Sequence, residues 1–131
     1  MKFSFAVLAL VFAFAGAGVM AADKAEDIKH EDLVKAVNEK KVVLIDCNGS
    51  ESYKSGHIPG AIDFATAKAE LDKKLPADKS TLIVAYCGNE NCNAYQAGAE
   101  AAKKLGYTNV KHYSGGIAGW KKAGEKTAAA N

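Results

Sequence analysis

Apolar and polar positions follow two rhythms along this chain, one helical and one extended. From Asp27 to Lys40, Ile28, Leu33, Val34 and Val37 fall on one helical face, which predicts an amphipathic helix. Val42-Val43-Leu44-Ile45 is a short apolar run, mostly β-branched and ending at Asp46, as expected of a strand buried in a parallel sheet. Asn48-Gly49-Ser50 and Gly56-His57-Ile58-Pro59-Gly60 carry turn chemistry, and Ala61 to Phe64 is a short strand candidate. A helix is predicted from Thr66 to Leu75, stopped by Pro76. Thr81 to Tyr86 is the most strand-like run. Asn93 to Leu105 is alanine-rich and helical, with Gly106 just past its end. Val110 to Tyr113 reads as another strand, and Gly115-Gly116 opens a last helix through Trp120. Residues 125–131 read as a frayed, flexible tail.

Strands alternating with helices predict an α/β domain with a central, mainly parallel sheet. Sites in such sheets lie beyond the C-terminal strand ends. Asp46-Cys47 and Tyr86-Cys87 both fall at such ends, so the pattern directs Cys47 and Cys87 toward one crevice.

The first residues follow neither rhythm. Lys2 precedes an apolar run from Phe3 to Ala15 in which Ser4 is the one polar residue, and Val19-Met20-Ala21 supplies small residues suited to cleavage. This predicts a signal peptide over residues 1–21 and a mature domain over 22–124. The run is short for a membrane span, so the mature form is expected not to span one. The expected location is secreted, in a periplasm, where thiol pairs exist as disulfides.

Length and charge narrow the function. The 131 residues give room for one domain, and 49% of them are hydrophobic, enough for a core. The net charge of +2 is spread without a basic stripe, which speaks against nucleic-acid binding. All 17 basic residues are lysines. Any mechanism that needs a bidentate guanidinium is therefore closed to this chain acting alone.

The candidate chemistry lies in Cys87-Gly88-Asn89-Glu90-Asn91-Cys92-Asn93, between the strongest strand and a long helix. Helix N-terminal amides stabilise a thiolate, and a persulfide anion likewise, so Cys87 is the candidate nucleophile. Gly88 permits a tight turn, and Asn93 is a candidate N-cap. Asn89, Glu90 and Asn91 complete a substrate-binding loop. No metal and no cofactor is called for.

The sequence resembles the rhodanese family over nearly all of the expected mature chain. Leu44-Ile45-Asp46, followed by Tyr53-Lys54-Ser55-Gly56-His57-Ile58-Pro59-Gly60-Ala61, resembles the family's first signature. Val84-Ala85-Tyr86-Cys87 resembles its catalytic strand and nucleophile. Leu105-Gly106-Tyr107-Thr108-Asn109-Val110 and Gly115-Gly116-Ile117-Ala118-Gly119-Trp120 resemble its closing motifs. The resemblance implies a three-layer fold and sulfur transfer by a cysteine persulfide, a two-step covalent reaction. Asp46 is then expected to organise the loop below Cys87, while His57 is structural and Tyr113 and Trp120 belong to the core. The chain departs from the family where arginines are usual: Asn48 follows Cys47, and Cys92 ends the loop. Glu90 adds negative charge where an anion docks. These departures favour polysulfide or persulfide donors over thiosulfate, and they argue against the related phosphatases.

Three functions follow. The first is an exported sulfurtransferase with Cys87 as persulfide carrier, small sulfur compounds or a thiol acceptor as reactants, and a protein sulfur or redox partner. The second is a thiol–disulfide protein in which Cys92 or Cys47 resolves Cys87. The third is a non-catalytic binding module.

Overall fold

The computed structural model describes residues 24–130, and the signal peptide expected over 1–21 lies outside them. The elements are β1 (Glu26–Asp27), α1 (His30–Asn38), β2 (Val43–Asp46), α2 (Ser50–Ser55), β3 (Ile62–Asp63), α3 (Phe64–Ala67), α4 (Leu71–Lys74), β4 (Ile83–Tyr86), α5 (Tyr95–Lys104), β5 (Val110–Tyr113) and α6 (Gly116–Lys122), with a 3₁₀ turn at Lys68–Glu70. The strands form one sheet in the order β1-β5-β4-β2-β3, every pair parallel. Helices cover both faces, giving the expected three-layer α/β architecture. Among the described residues, no helix is long and apolar enough to cross a membrane.

Side-chain alternation builds two cores, because successive strand residues point to opposite faces. Ile83 and Ala85 of β4 join Ile45 of β2 on one face, under Ala99 and Ala102 of α5. Val84 and Tyr86 join Leu44 on the other, under Leu33 of α1 and Ile117 and Trp120 of α6. All four β4 residues are fully buried, which places this strand at the centre and its C-terminal end at the middle of the sheet edge.

The departures from the sequence pattern have local causes. Asp27 and Ile28 do not start α1: the chain there runs as edge strand β1, with Ile28 N donating to His112 O at 2.8 Å. Pairing with β5, a tertiary effect, overrides the helical spacing. The predicted 66–75 helix is divided into α3, the 3₁₀ turn and α4, and Glu70 between the last two leaves helical geometry. Helix α2 buries no residue, so it gave no apolar period to read. Gly106 ends α5 at φ +96°, with Tyr107 N donating to Ala102 O and Gly106 N to Lys103 O, the paired bonds of a Schellman cap.

Residues 125–130 carry specific contacts rather than the expected frayed end. Ala128 pairs antiparallel with His57, Trp120 Nε1 donates to Lys126 O at 2.8 Å, and Ala130 N donates to Lys54 O. His57 is buried, with Nδ1 2.7 Å from Tyr53 O and its ring stacked on Tyr53, as its structural reading requires.

Candidate active site

Cys87 is the first residue beyond β4 and is 2% exposed. Its backbone is gripped by the first turn of α6. Ile117 N donates to Cys87 O and Ala118 N donates to Gly88 O, both at 2.9 Å. Gly116 makes this possible: its φ is +62°, and a Cβ there would lie 2.5 Å from Cys87 O. Gly116 thus serves the close approach of α6 to the cysteine.

Residues 88–94 form the loop between β4 and α5, and in it Cys92 is disulfide-bonded to Cys87 with a Cα–Cα distance of 6.2 Å. Asn89 folds this loop on itself: its side-chain Oδ1 accepts from Asn91 N at 2.9 Å, and its carbonyl accepts from Cys92 N at 3.1 Å. Two expectations are corrected here. Helix α5 starts at Tyr95 with Ala94 in the cap position, so Asn93 is not the N-cap, although its carbonyl accepts from Gln96 N. Cys87 is therefore not seated directly at the start of α5. The first turn of α6, rather than α5, holds the Cys87 backbone.

A cavity of about 360 Å³ opens between the loop and α6, lined by Asn89, Glu90, Asn91, Gly115, Gly119 and Lys122. Lys122 escaped the sequence reading, yet Gly115, Ala118, Gly119 and Lys122 share the helical spacing that puts them on one face. It is the one cation lining this cavity and faces a wall that also carries Glu90.

Asp46, at the end of β2, is fully buried. Its Oδ2 accepts from Tyr86 Oη at 2.7 Å and its Oδ1 accepts from Asn48 N at 2.9 Å. Tyr86 Oη in turn accepts from Ile58 N at 3.0 Å. Burial raises the Asp46 carboxyl above its ordinary value, against the lowering pull of the Tyr86 and Asn48 hydrogen bonds. Burial and the Asp46 charge raise the Tyr86 phenol. Asp46 thus meets the loop at second hand: through Tyr86, the residue before Cys87, and through Asn48, whose Oδ1 lies 3.4 Å from where a Cβ on Gly88 would be.

Cys47, one residue past β2, lies under α5. It packs against the α5-side core, and a Cβ on Gly98 would approach its Sγ to 2.7 Å. Burial pushes its thiol up to about 12, with the Asp46 and Asp63 charges adding to the rise. The Cys87 disulfide goes to Cys92, and Cys47 is free.

Comparison with known proteins agrees with this geometry. The Rhodanese-like domain family matches residues 29–123. Thiosulfate sulfurtransferase GlpE from Pseudomonas savastanoi is 30% identical over 95 residues, covering 66% of this chain and 79% of that protein. The HTH-type transcriptional regulator Rv0324 from Mycobacterium tuberculosis is 33% identical over 98 residues, covering 74% of this chain and 42% of that protein. The tRNA uridine(34) hydroxylases of Buchnera aphidicola match over only 30% of their length, so the chain spans less than half of these longer relatives. Among solved structures, a rhodanese-related protein from Thermoplasma volcanium superposes with TM-score 0.61 at 20% identity, covering 80% of this chain and 99% of that one. SseA from Escherichia coli, described for the rhodanese fold of 3-mercaptopyruvate sulfotransferases, superposes with TM-score 0.65 at 16% identity, covering 82% of this chain and 51% of that one.

Proposed function

Because the chain belongs to the rhodanese-like domain family, we propose that it is a sulfurtransferase that carries sulfane sulfur as a persulfide on Cys87. The observation that carries this reading is the placement of Cys87. It stands at the end of the central strand, its carbonyl held by α6 and its sulfur within bonding reach of a second thiol in a polar loop. In the reduced protein the Cys87 thiolate attacks the outer sulfur of a donor R–S–SH, forming Cys87–S–SH and releasing R–SH after proton transfer. An acceptor thiolate then takes that outer sulfur and regenerates Cys87. Asp46 and Tyr86 position the strand end and are not reacting groups.

The donor is a polysulfide or a small persulfide rather than thiosulfate. No arginine is present, and Glu90 lines the cavity beside the loop, so a dianion meets repulsion opposed only by Lys122. The protein works outside the cytoplasm, in a periplasm, after removal of residues 1–21. The support for this is the sequence of that segment together with a cysteine pair suited to an oxidising compartment. The test is sulfur transfer by the reduced mature protein from thiosulfate, polysulfide and glutathione persulfide, side by side. Activity with the last two and little with thiosulfate is expected; no transfer from any donor rejects the reading.

The Cys87–Cys92 disulfide also favours a second reading, thiol–disulfide exchange without sulfur transfer. An internal disulfide that forms and breaks with partner dithiols, with no sulfur adduct after polysulfide treatment, is its mark.

A further inference from the structure

The Cys87–Cys92 pair is placed for one further activity. We propose that this chain discharges its own persulfide, releasing sulfide by internal attack of Cys92. The inference rests on the reading of Cys87 as persulfide carrier. Cys92 lies in the same short loop as Cys87, and the two sulfurs are bonded. The sulfur that Cys92 reaches is therefore Cys87 Sγ, the inner atom of a Cys87–S–SH group. Attack there forms the Cys87–Cys92 bond and breaks the bond to the outer sulfur. That sulfur leaves as HS⁻ with the bonding electron pair. The balance is Cys87–S–SH plus Cys92–SH giving Cys87–S–S–Cys92 plus H₂S. The sulfane sulfur is reduced to sulfide and two thiols are oxidised, with no outside reductant in this half-reaction.

The rest of the site suits this outcome. The bonds from Asn89 to Asn91 N and Cys92 N hold the loop turned back so that Cys92 faces Cys87. The remaining thiol, Cys47, is packed under Gly98 of α5 and takes no part. Recovery then needs an external dithiol. In the oxidised state Cys87 is 2% exposed while Cys92 is half-buried, so the dithiol meets the Cys92 sulfur first. That attack frees Cys87 as the leaving thiolate, and the second thiol of the reductant then displaces Cys92. The overall reaction is reduction of sulfane sulfur to sulfide at the expense of a dithiol.

The test is a single turnover. Reduced full-length protein and Cys92→Ser are loaded with polysulfide, freed of excess reagent and left without added thiol. Sulfide, sulfane sulfur removable by cold cyanide, and intact mass are followed together. Wild type is expected to release one equivalent of sulfide while forming the Cys87–Cys92 disulfide. Cys92→Ser should hold its adduct at least about tenfold longer, the mark of a lost internal nucleophile. Cys92→Ala, run in parallel, guards against an unfolded variant. An adduct on wild type that lasts as long as on both variants overturns the proposal, as does sulfide release without the Cys87–Cys92 bond. Absence of any adduct on all three proteins rejects the sulfurtransferase reading itself.

Discussion

Cys47 and Cys87 stand one residue past the ends of neighbouring parallel strands, and Cys47 N donates to Tyr86 O at 2.8 Å. In register they are near equivalents; in chemistry they are opposites. Over Cys47, α5 crosses at Gly98 so closely that a Cβ would collide with its sulfur, and burial lifts its thiol to about 12. After Cys87 the chain continues as a loop until α5 starts at Tyr95. The chain swings out through residues 88–94, and the first turn of α6 holds the cysteine backbone while its sulfur turns to Cys92. A parallel strand end supplies a crevice. What the chain does next decides whether the cysteine there is core or reactive.

The sharpest way to break this contrast is to exchange the reactive atom. Cys87→Ser should lose sulfur transfer by several orders of magnitude, as loss of a covalent nucleophile does, with an unchanged circular dichroism spectrum. Cys47→Ser should retain transfer; a variant pair with the reverse behaviour would invert the assignment of the two cysteines.

Oxidation state comes next. The disulfide form should be inactive in transfer until dithiothreitol is added, since Cys87 then has no free thiol. Chain-entropy reasoning gives so short a loop only about 2 kcal/mol of stabilisation, so reduction should lower the urea midpoint modestly without unfolding the protein. Full activity of the oxidised protein would show that Cys87 is not the carrier.

How much of this was legible in the sequence depends on where each signal lies. β2 and β4 were readable because each is a compact apolar run bounded by polar residues, β5 through Val110 and Tyr113 at its two ends, and Gly106 marked the end of α5. Cys87 was readable because a strand, a cysteine and a glycine-bearing loop stand in succession. The fate of Cys47 was not, because Gly98, which closes over it, lies far along the chain and meets it only in the folded state. The start of α5 was misplaced by two residues for a related reason. Asn93 has the chemistry of an N-cap, but the turn made by Asn89 and the bond to Cys92 hold the loop open until Ala94. β1 exists only through its pairing with β5, which no local pattern announces.

Packing over Cys47 gives a smaller effect. Gly98→Ala should cost about 1–3 kcal/mol by overpacking, partly offset by alanine's better helix propensity. Adding Cys47→Ala should recover much of that loss, a coupling visible in a double-mutant cycle of urea midpoints. Additive effects would show that the sulfur is not what Gly98 accommodates. The raised Cys47 pKa gives a matching pH test. With the thiolate form favoured only above about 12, Cys47 should resist iodoacetamide at pH 8 in the folded, reduced protein and react once denatured.

The smallest expected change concerns the cavity charges. Glu90→Gln should improve use of thiosulfate by a few-fold by removing like-charge repulsion, and Lys122→Gln should weaken it by a similar factor. The ratio of kcat/KM values for thiosulfate and glutathione persulfide is the quantity to compare, because it cancels changes in Cys87 itself. An unchanged ratio in both variants would place the donor elsewhere.

The most direct test of the central claim is peptide-mapped mass spectrometry of reduced Cys92→Ser after brief exposure to polysulfide. The account predicts one added sulfur, about 32 Da, on the peptide that contains Cys87, removable by cyanide, with Cys47 unmodified. An adduct on Cys47 instead, or none on Cys87 in a protein that remains folded, would contradict it.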